Sequence, residues 1–267
     1  MAEFTLSDGE TLYYEVHGAG PPLALVTGLG GLASFWAPHI EALSRDFTVV
    51  LHDHRGTGRS SHSLIRYSVE LMADDTLQLL NHLDIARAHL IGHSTGGAIG
   101  QTLALDHPGR IGRLILSSTW AKADTYFRRL FAVRSEVLRA SGTAAYLHAS
   151  SLFMSPPDWI RDNMAALEES EAKVLALSPP PEVVLSRIEA ILAFDRSAEL
   201  GRIAAPTLVT CATDDHITPP YFSEELARLI PAAELALAPY GGHFYPAIMA
   251  EDFRRTAHAF LTRDSAD

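Results

Sequence analysis

Two short runs of alternating apolar and polar residues open the chain, Glu3 to Ser7 and Thr11 to His17, around Asp8-Gly9. That period predicts two strands, and Asp-Gly predicts a tight hairpin turn with both residues at positive φ. Pro22 to Thr27 and Phe47 to Asp53 are continuous apolar runs, as expected of strands buried on both faces. Between them, after Gly28-Leu29-Gly30-Gly31, a helical pattern runs to about Ser44. Ser68 suits the N-cap of a helix that carries Leu71, Leu79, Leu80 and Leu83 on helical spacing. Ala88 to Gly92 predicts a fifth strand and Gly96 to Leu105 a helix stopped by Pro108. Leu114 to Ser117 predicts a sixth strand.

The rhythm then changes. From Ala121 to Leu200 the patterns are helical: Thr125 to Ala140, Ala144 to Leu152, Trp159 to Leu177 and Pro181 to Phe194. Pro156-Pro157 and Pro179-Pro180-Pro181 punctuate them. Strands resume at Pro206 to Ala212 and Glu234 to Ala238, with helices at Pro220 to Leu229 and Ala250 to Leu261. The fold class is therefore α/β: a mostly parallel, eight-stranded sheet flanked by helices, with an all-helical cap. Residues 1–120 and 201–267 are expected to form the core, and 121–200 a cap inserted after the sixth strand.

Composition narrows the function. With 267 residues, 47% of them hydrophobic, the chain can bury a large core without staples. Cys211 is the single cysteine, which excludes an internal disulfide and reads as a buried strand residue. The net charge of −11 argues against a nucleic-acid partner. That acidity belongs mainly to the core, because the cap carries 9 basic and 11 acidic residues. Lys122, Arg128, Arg129, Arg134 and Arg139 open the cap against only Asp124 and Glu136. They read as a solvated helix face; the sharper alternative is that one arginine binds a substrate carboxylate. No run of 18 apolar residues occurs and Met1 to Glu10 is polar, so neither a membrane partner nor a secretory leader is expected and the location reads as cytoplasmic. Monomer and homodimer both stay open.

Two motifs compete for the chemistry. Gly28-Leu29-Gly30-Gly31-Leu32-Ala33 fits G-x-G-x-x-A after a strand, with Asp53 twenty residues on, as in a dinucleotide-binding fingerprint. It does not follow the first strand of the chain, and Arg55 stands near the acid as a rival partner. Gly92-His93-Ser94-Thr95-Gly96 fits G-x-S-x-G, with LIG leading in from a strand and GGAIGQTLAL leading out on a helix. Such an elbow presents a strained serine, with Gly92 and Gly96 relieving the crowding. A serine nucleophile needs a base, and the base needs an orienting acid. Asp214 and Asp215 follow the seventh strand, and His243 follows the eighth in Tyr240-Gly241-Gly242-His243. His52, Asp53 and His54 raise the thought of a metal, but alternation puts the histidines and the acid on opposite faces, so no metal and no cofactor is expected.

TGLGG, DHRGTGRS, GHSTGG, ATDDHITPP and YGGHF together resemble the α/β-hydrolase superfamily over nearly the whole chain. That resemblance implies Ser94 as nucleophile, His243 as base and Asp215, four residues before a proline, as the acid. It implies the backbone N–H groups of Leu29 and Thr95 as oxyanion donors. It makes Asp53 and Arg55 structural, paired with each other near the elbow. His93 becomes a packing residue in the pocket wall. The stretch YFRRLFAVRSEVLRASGTAAYLHASSLFMSPPDW is similar to RutD-like hydrolases, assigned to aminoacrylate or carbamate hydrolysis, and in part to 3-oxoadipate enol-lactonases. The expected partner is a small molecule, an ester, lactone, amide or carbamate. The same triad also serves carbon–carbon hydrolysis, lyase and perhydrolase chemistry. A nicotinamide-dependent oxidoreductase and a non-catalytic receptor are the readings from other classes. Trp120, Tyr126, Phe127, Phe153, Trp159, Phe194, Phe244 and Tyr245 are candidates for the substrate pocket.

Overall fold

A computed structural model describes residues 2–263. Met1 and residues 264–267, within the ranges assigned to the core, lie outside the described residues. The strands are β1 (Ala2–Thr5), β2 (Thr11–His17), β3 (Pro22–Val26), β4 (Thr48–His52), β5 (Ala88–His93), β6 (Ile111–Ser117), β7 (Thr207–Ala212) and β8 (Glu234–Ala238). They form one sheet in the order β1-β2-β4-β3-β5-β6-β7-β8. β1 and β2 pair antiparallel, as do β2 and β4; every other neighbour is parallel. The expected eight-stranded, mostly parallel sheet is present. The first turn differs from expectation. Only Gly9 takes positive φ, at 90°, while its N–H donates to the Leu6 carbonyl at 3.0 Å. A three-residue loop, Ser7 to Gly9, therefore replaces the two-residue turn, with the glycine at the left-handed position.

The helices of the core are α1 (Ala37–Leu43), α2 (Val69–His82) and α3 (Thr95–Asp106) before the cap. Ser68 caps α2 as expected, its hydroxyl accepting the Leu71 N–H at 3.0 Å. Successive strand residues part to opposite faces. Leu90, Leu114 and Leu116 pack with Leu80, Ile99 and Leu103 from α2 and α3. Ile91 and Ile115 pack on the other side with Trp36, Phe253 and Phe260. Helices cover both faces, which is why these strands read as unbroken apolar runs.

Between β6 and β7 the described structure is helical: α4 (Thr125–Met154), α5 (Pro157–Asp162), α6 (Met164–Ala176) and α7 (Pro181–Ala193). Gly142 kinks α4 with φ 77° and ψ −177°, at the gap between the two helices read from sequence. The single helix expected from Trp159 to Leu177 breaks at Asn163 into α5 and α6. Lys122 and Asp195 pair in a β-bridge with an ion pair of 2.6 Å, so the insertion leaves and rejoins the sheet at one place. Its apolar side is continuous with the core, for Phe127, Phe131, Val183, Ile188 and Phe194 join the cluster of Leu90 and Leu116. The chain closes with α8 (Pro220–Leu229), α9 (Tyr245–Ile248) and α10 (Ala250–Leu261). Among the described residues no helix is long and apolar enough to cross a membrane.

Candidate active site

Ser94 stands between β5 and α3 with φ 55° and ψ −117°, a conformation that few side chains adopt. The strand must turn into a helix within one residue there, and the neighbours allow it only by lacking side chains. A Cβ on Gly92 would lie 2.2 Å from the Gly96 carbonyl oxygen, and one on Gly96 would lie 2.1 Å from that of Val26. Gly96→Ala is therefore expected to cost at least about 2 kcal/mol through forced overpacking. Thermal melting checks this, and a melt unchanged from the wild type would refute it.

Three loops at the C-terminal edge of the sheet converge on this serine, where open α/β sheets hold their ligands. Ser94 Oγ lies 3.0 Å from His243 Nε2, and His243 Nδ1 lies 2.9 Å from Asp215 Oδ2. All three residues are buried. Asp215 also accepts the Ile217 N–H at 2.8 Å, the Thr218 N–H at 2.9 Å and the Thr218 hydroxyl at 3.0 Å. Burial alone raises its carboxyl pKa. The facing His243 and the N–H groups of Thr218 and Ile217 outweigh burial and hold it below the usual carboxylate range. A carboxylate so fixed keeps the imidazole in one tautomer, with Nδ1–H donating and Nε2 free to accept from the serine hydroxyl.

Asp214, the rival acid, does other work. Its oxygens accept the N–H groups of Gly241 and Gly242 at 3.2 and 2.9 Å, which ties the acid loop to the histidine loop. Thr218 was not anticipated. Its signal is its place three residues after Asp215, where a hydroxyl folds back on a carboxylate within one turn.

Thr95 begins α3, and the first N–H groups of a helix have no partner within it. Leu29 follows Gly28, where a Cβ would come within 3.1 Å of Ser94 Cβ. Thr95 and Leu29, the two residues expected to donate, thus directly follow Ser94 and its neighbour Gly28. His93 packs rather than titrates. It stacks on Phe35 at 4.8 Å and faces Ser117 Oγ through Nδ1 at 3.2 Å, and burial holds its pKa well below the ordinary histidine value.

The predicted pairing of Asp53 with Arg55 is not present. Asp53 binds Arg59 instead, at 2.7 Å through Nε and 2.9 Å through Nη2, and accepts the Ala33 N–H at 2.8 Å. Arg55 turns away to Asp75 on α2, at 2.6 and 2.9 Å, and to Asp8. β4 ends at His52, so strand alternation does not bring Asp53 and Arg55 together, and each finds a partner in another segment. Both oxygens of Asp53 are spent on protein donors, which removes the acid a dinucleotide fingerprint needs. His52 and His54 stack at 5.1 Å, and the described residues hold no cluster suited to a metal.

Most aromatic candidates for the pocket serve packing. Trp120, Phe127 and Phe194 are buried together, with Trp120 4.6 Å from Phe127. Tyr245 is buried too, its hydroxyl 2.6 Å from Thr210 Oγ1. Tyr126 bonds the His216 carbonyl from an exposed position. Phe153 packs against the core, and Trp159 is half-buried at the rim of α5. Phe244 is half-buried 5.7 Å from Phe35 and next to His243. A cavity of about 60 Å³ beside the Leu29 loop is lined by Leu29, Gly30, Tyr146, Leu147, Val184 and Arg187 among others, and by none of the three triad residues. None of the eight aromatics lines it. Of the five basic residues read as a solvated face, four are exposed, but Arg134 is buried. It bonds the Tyr146 hydroxyl at 2.9 Å and Ser150 Oγ at 3.0 Å, because its turn of α4 faces the cap interior.

The chain matches the alpha/beta hydrolase fold family over residues 21–246. A protein of Azorhizobium caulinodans named "Putative carbamate hydrolase RutD" is 44% identical to it, over 93% of this chain and 94% of that protein. One of the same name from Caulobacter sp. strain K31 is 41% identical, over 96% and 97%. The solved structure of the enol-lactonase from Burkholderia xenovorans LB400 superposes with a TM-score of 0.91 at 30% identity, over 98% of this chain and all (100%) of that one. With an elbow serine, a histidine and a carboxylate in register on a sheet of this order, the chain belongs to the alpha/beta hydrolase fold family and is a hydrolase.

Proposed function

We propose that the chain is a cofactor-free serine hydrolase that cleaves a small ester, lactone, amide or carbamate through an acyl-enzyme. One observation carries this reading: the unbroken line from Asp215 through His243 to Ser94, at 2.9 and 3.0 Å. His243 takes the Ser94 proton as the hydroxyl oxygen attacks the carbonyl. The tetrahedral oxyanion is held by the N–H groups of Leu29 and Thr95, and losing one such donor typically costs about 10²–10³ in kcat. Asp215 stabilises the imidazolium. His243 then gives its proton to the leaving group. Water, activated by the same histidine, releases the acid and restores Ser94.

The relatives support the carbonyl class: a carbamate is named for the RutD proteins and an enol-lactone for the Burkholderia enzyme. The test is a panel of small esters, lactones, amides and carbamates, with labelling by a fluorophosphonate at Ser94. Labelling of Ser94 and turnover of at least one panel member are expected; neither occurring would overturn the proposal. Asp215→Asn is expected to lower kcat by about 10⁴-fold with little change in the fold, because the amide favours the wrong histidine tautomer. Steady-state kinetics beside a thermal melt measure both.

A further inference from the structure

We propose that Arg187, which the cap contributes from α7, is a positioning residue for the oxyanion loop: it fixes Leu29 so that the Leu29 N–H faces the serine. This rests on the serine-hydrolase reading above.

Arg187 is 1% exposed, yet among the described residues no carboxylate bonds it. A buried guanidinium without a carboxylate is costly, so what it does bind is informative. Nη1 donates to the Arg55 carbonyl at 2.6 Å. Nη2 donates to the Leu29 carbonyl at 3.1 Å and to His54 Nδ1 at 3.1 Å. Its charge is thus spread over two core loops, one of which carries the oxyanion donor. Burial pushes the guanidinium down to about 10, which leaves it charged at neutral pH.

The rest of that loop is held from the core. The Gly31 N–H donates to the Gly28 carbonyl at 3.0 Å. The Gly31 carbonyl accepts the His54 N–H at 2.8 Å and the Thr57 hydroxyl at 3.2 Å. Asp53 takes the Ala33 N–H. The Leu29 carbonyl, by contrast, is held from the cap. The Leu29 N–H lies on the preceding peptide, whose oxygen is the Gly28 carbonyl held by Gly31, so Arg187 fixes the second of the two peptides flanking Leu29, between two glycines that do little to orient it. A catalytic donor must be held within about 0.5 Å and 10–20° of its productive place. The remaining nitrogen, Nε, is closed off from solvent and has no partner among the described residues. That favours positioning over direct capture of a substrate anion. The sequence signal lies in α7, where Arg187 falls four residues from both Val183 and Ile191 on the apolar face.

The test uses Arg187→Met and Arg187→Lys in the full chain, with p-nitrophenyl acetate as the neutral ester. Arg187→Met is expected to lower kcat by about 10- to 100-fold with KM within about two-fold, part of the cost of a lost oxyanion donor. Fluorophosphonate labelling of Ser94 should slow in parallel. Arg187→Lys keeps the charge without the fork and should fall between Met and wild type. Wild-type kcat in a folded Arg187→Met, or a loss carried by KM alone, overturns the proposal. A loss confined to a negatively charged ester, the p-nitrophenyl monoester of succinic acid, overturns it in favour of an anion subsite. Should the methionine variant fail to fold, the lysine variant decides by the same split. Ser94→Ala runs beside them. Undiminished turnover there removes the serine-hydrolase reading, whereas Ser94-dependent turnover indifferent to Arg187 removes only the positioning role.

Discussion

Ser94→Ala is expected to lower kcat toward small esters by about 10⁴- to 10⁶-fold while the protein stays folded. Its Oγ is the atom that His243 Nε2 faces at 3.0 Å. What survives is the catalysis of the oxyanion donors and of binding, about 10³–10⁴ over water in comparable triads. The three residues act as one unit, so the losses do not add. Asp215→Asn placed on Ser94→Ala should cost almost nothing further, though alone it costs about 10⁴. The alanine keeps the unusual backbone of Ser94 and removes one atom, so the melting temperature should move by no more than a few degrees. Steady-state rates with p-nitrophenyl acetate, and loss of fluorophosphonate labelling, check the claim. Turnover near the wild-type rate would refute the acyl-enzyme.

Acidification is expected to destabilise the fold strongly between pH 6.5 and 4. Burial lowers the pKa of His39 and of His52 to about 4, and lowers His54 and His93 well below the ordinary value. All four are neutral in the folded state at neutral pH. In the unfolded chain they bind protons below about 6.5. Below about 6.5 the unfolded state holds more protons, so stability falls as pH falls, and for His39 and His52 the loss levels off near pH 4. At pH 5, His39 and His52 each cost about 2 kcal/mol on this reckoning. His54 and His93 act in the same direction. That sum is a large part of the roughly 5–15 kcal/mol a domain has. Urea midpoints at pH 7.5 and pH 5.0 should differ markedly, and His52→Phe should flatten the difference. A midpoint independent of pH over this range would refute it.

The parts legible in the sequence share one property: their signal is local. The strand runs from Pro22, Phe47 and Ala88 follow from burial on both sheet faces, and Ser68 announces a helix three residues before its bond is made. The elbow around Ser94 is legible for the same reason, because a one-residue turn demands glycine close by. Asp215 and His243 took order along the chain rather than local pattern, and the geometry brings both to Ser94. What was not legible depends on partners far away in sequence. Arg55 meets Asp75 twenty residues on, and Arg187 meets Leu29 across 158. Trp120, Phe127 and Phe194 pack together where the helical insertion meets the core, a place that their residue type alone does not distinguish from the wall of a substrate pocket. Arg134 failed because its run of basic neighbours masked one position on the inward turn.

The joined stems of the cap, Lys122 against Asp195, make the insertion a cassette. Its ends enter and leave side by side, so a cap of another length or shape could be grafted there without altering the strand register. Evolution and engineering alike can then change what the enzyme accepts while leaving its reacting atoms alone. The graft carries one obligation. A replacement that supplies no guanidinium where Arg187 stands would inherit the nucleophile and lose the grip on Leu29, giving a chimera that labels slowly although its three polar residues are untouched.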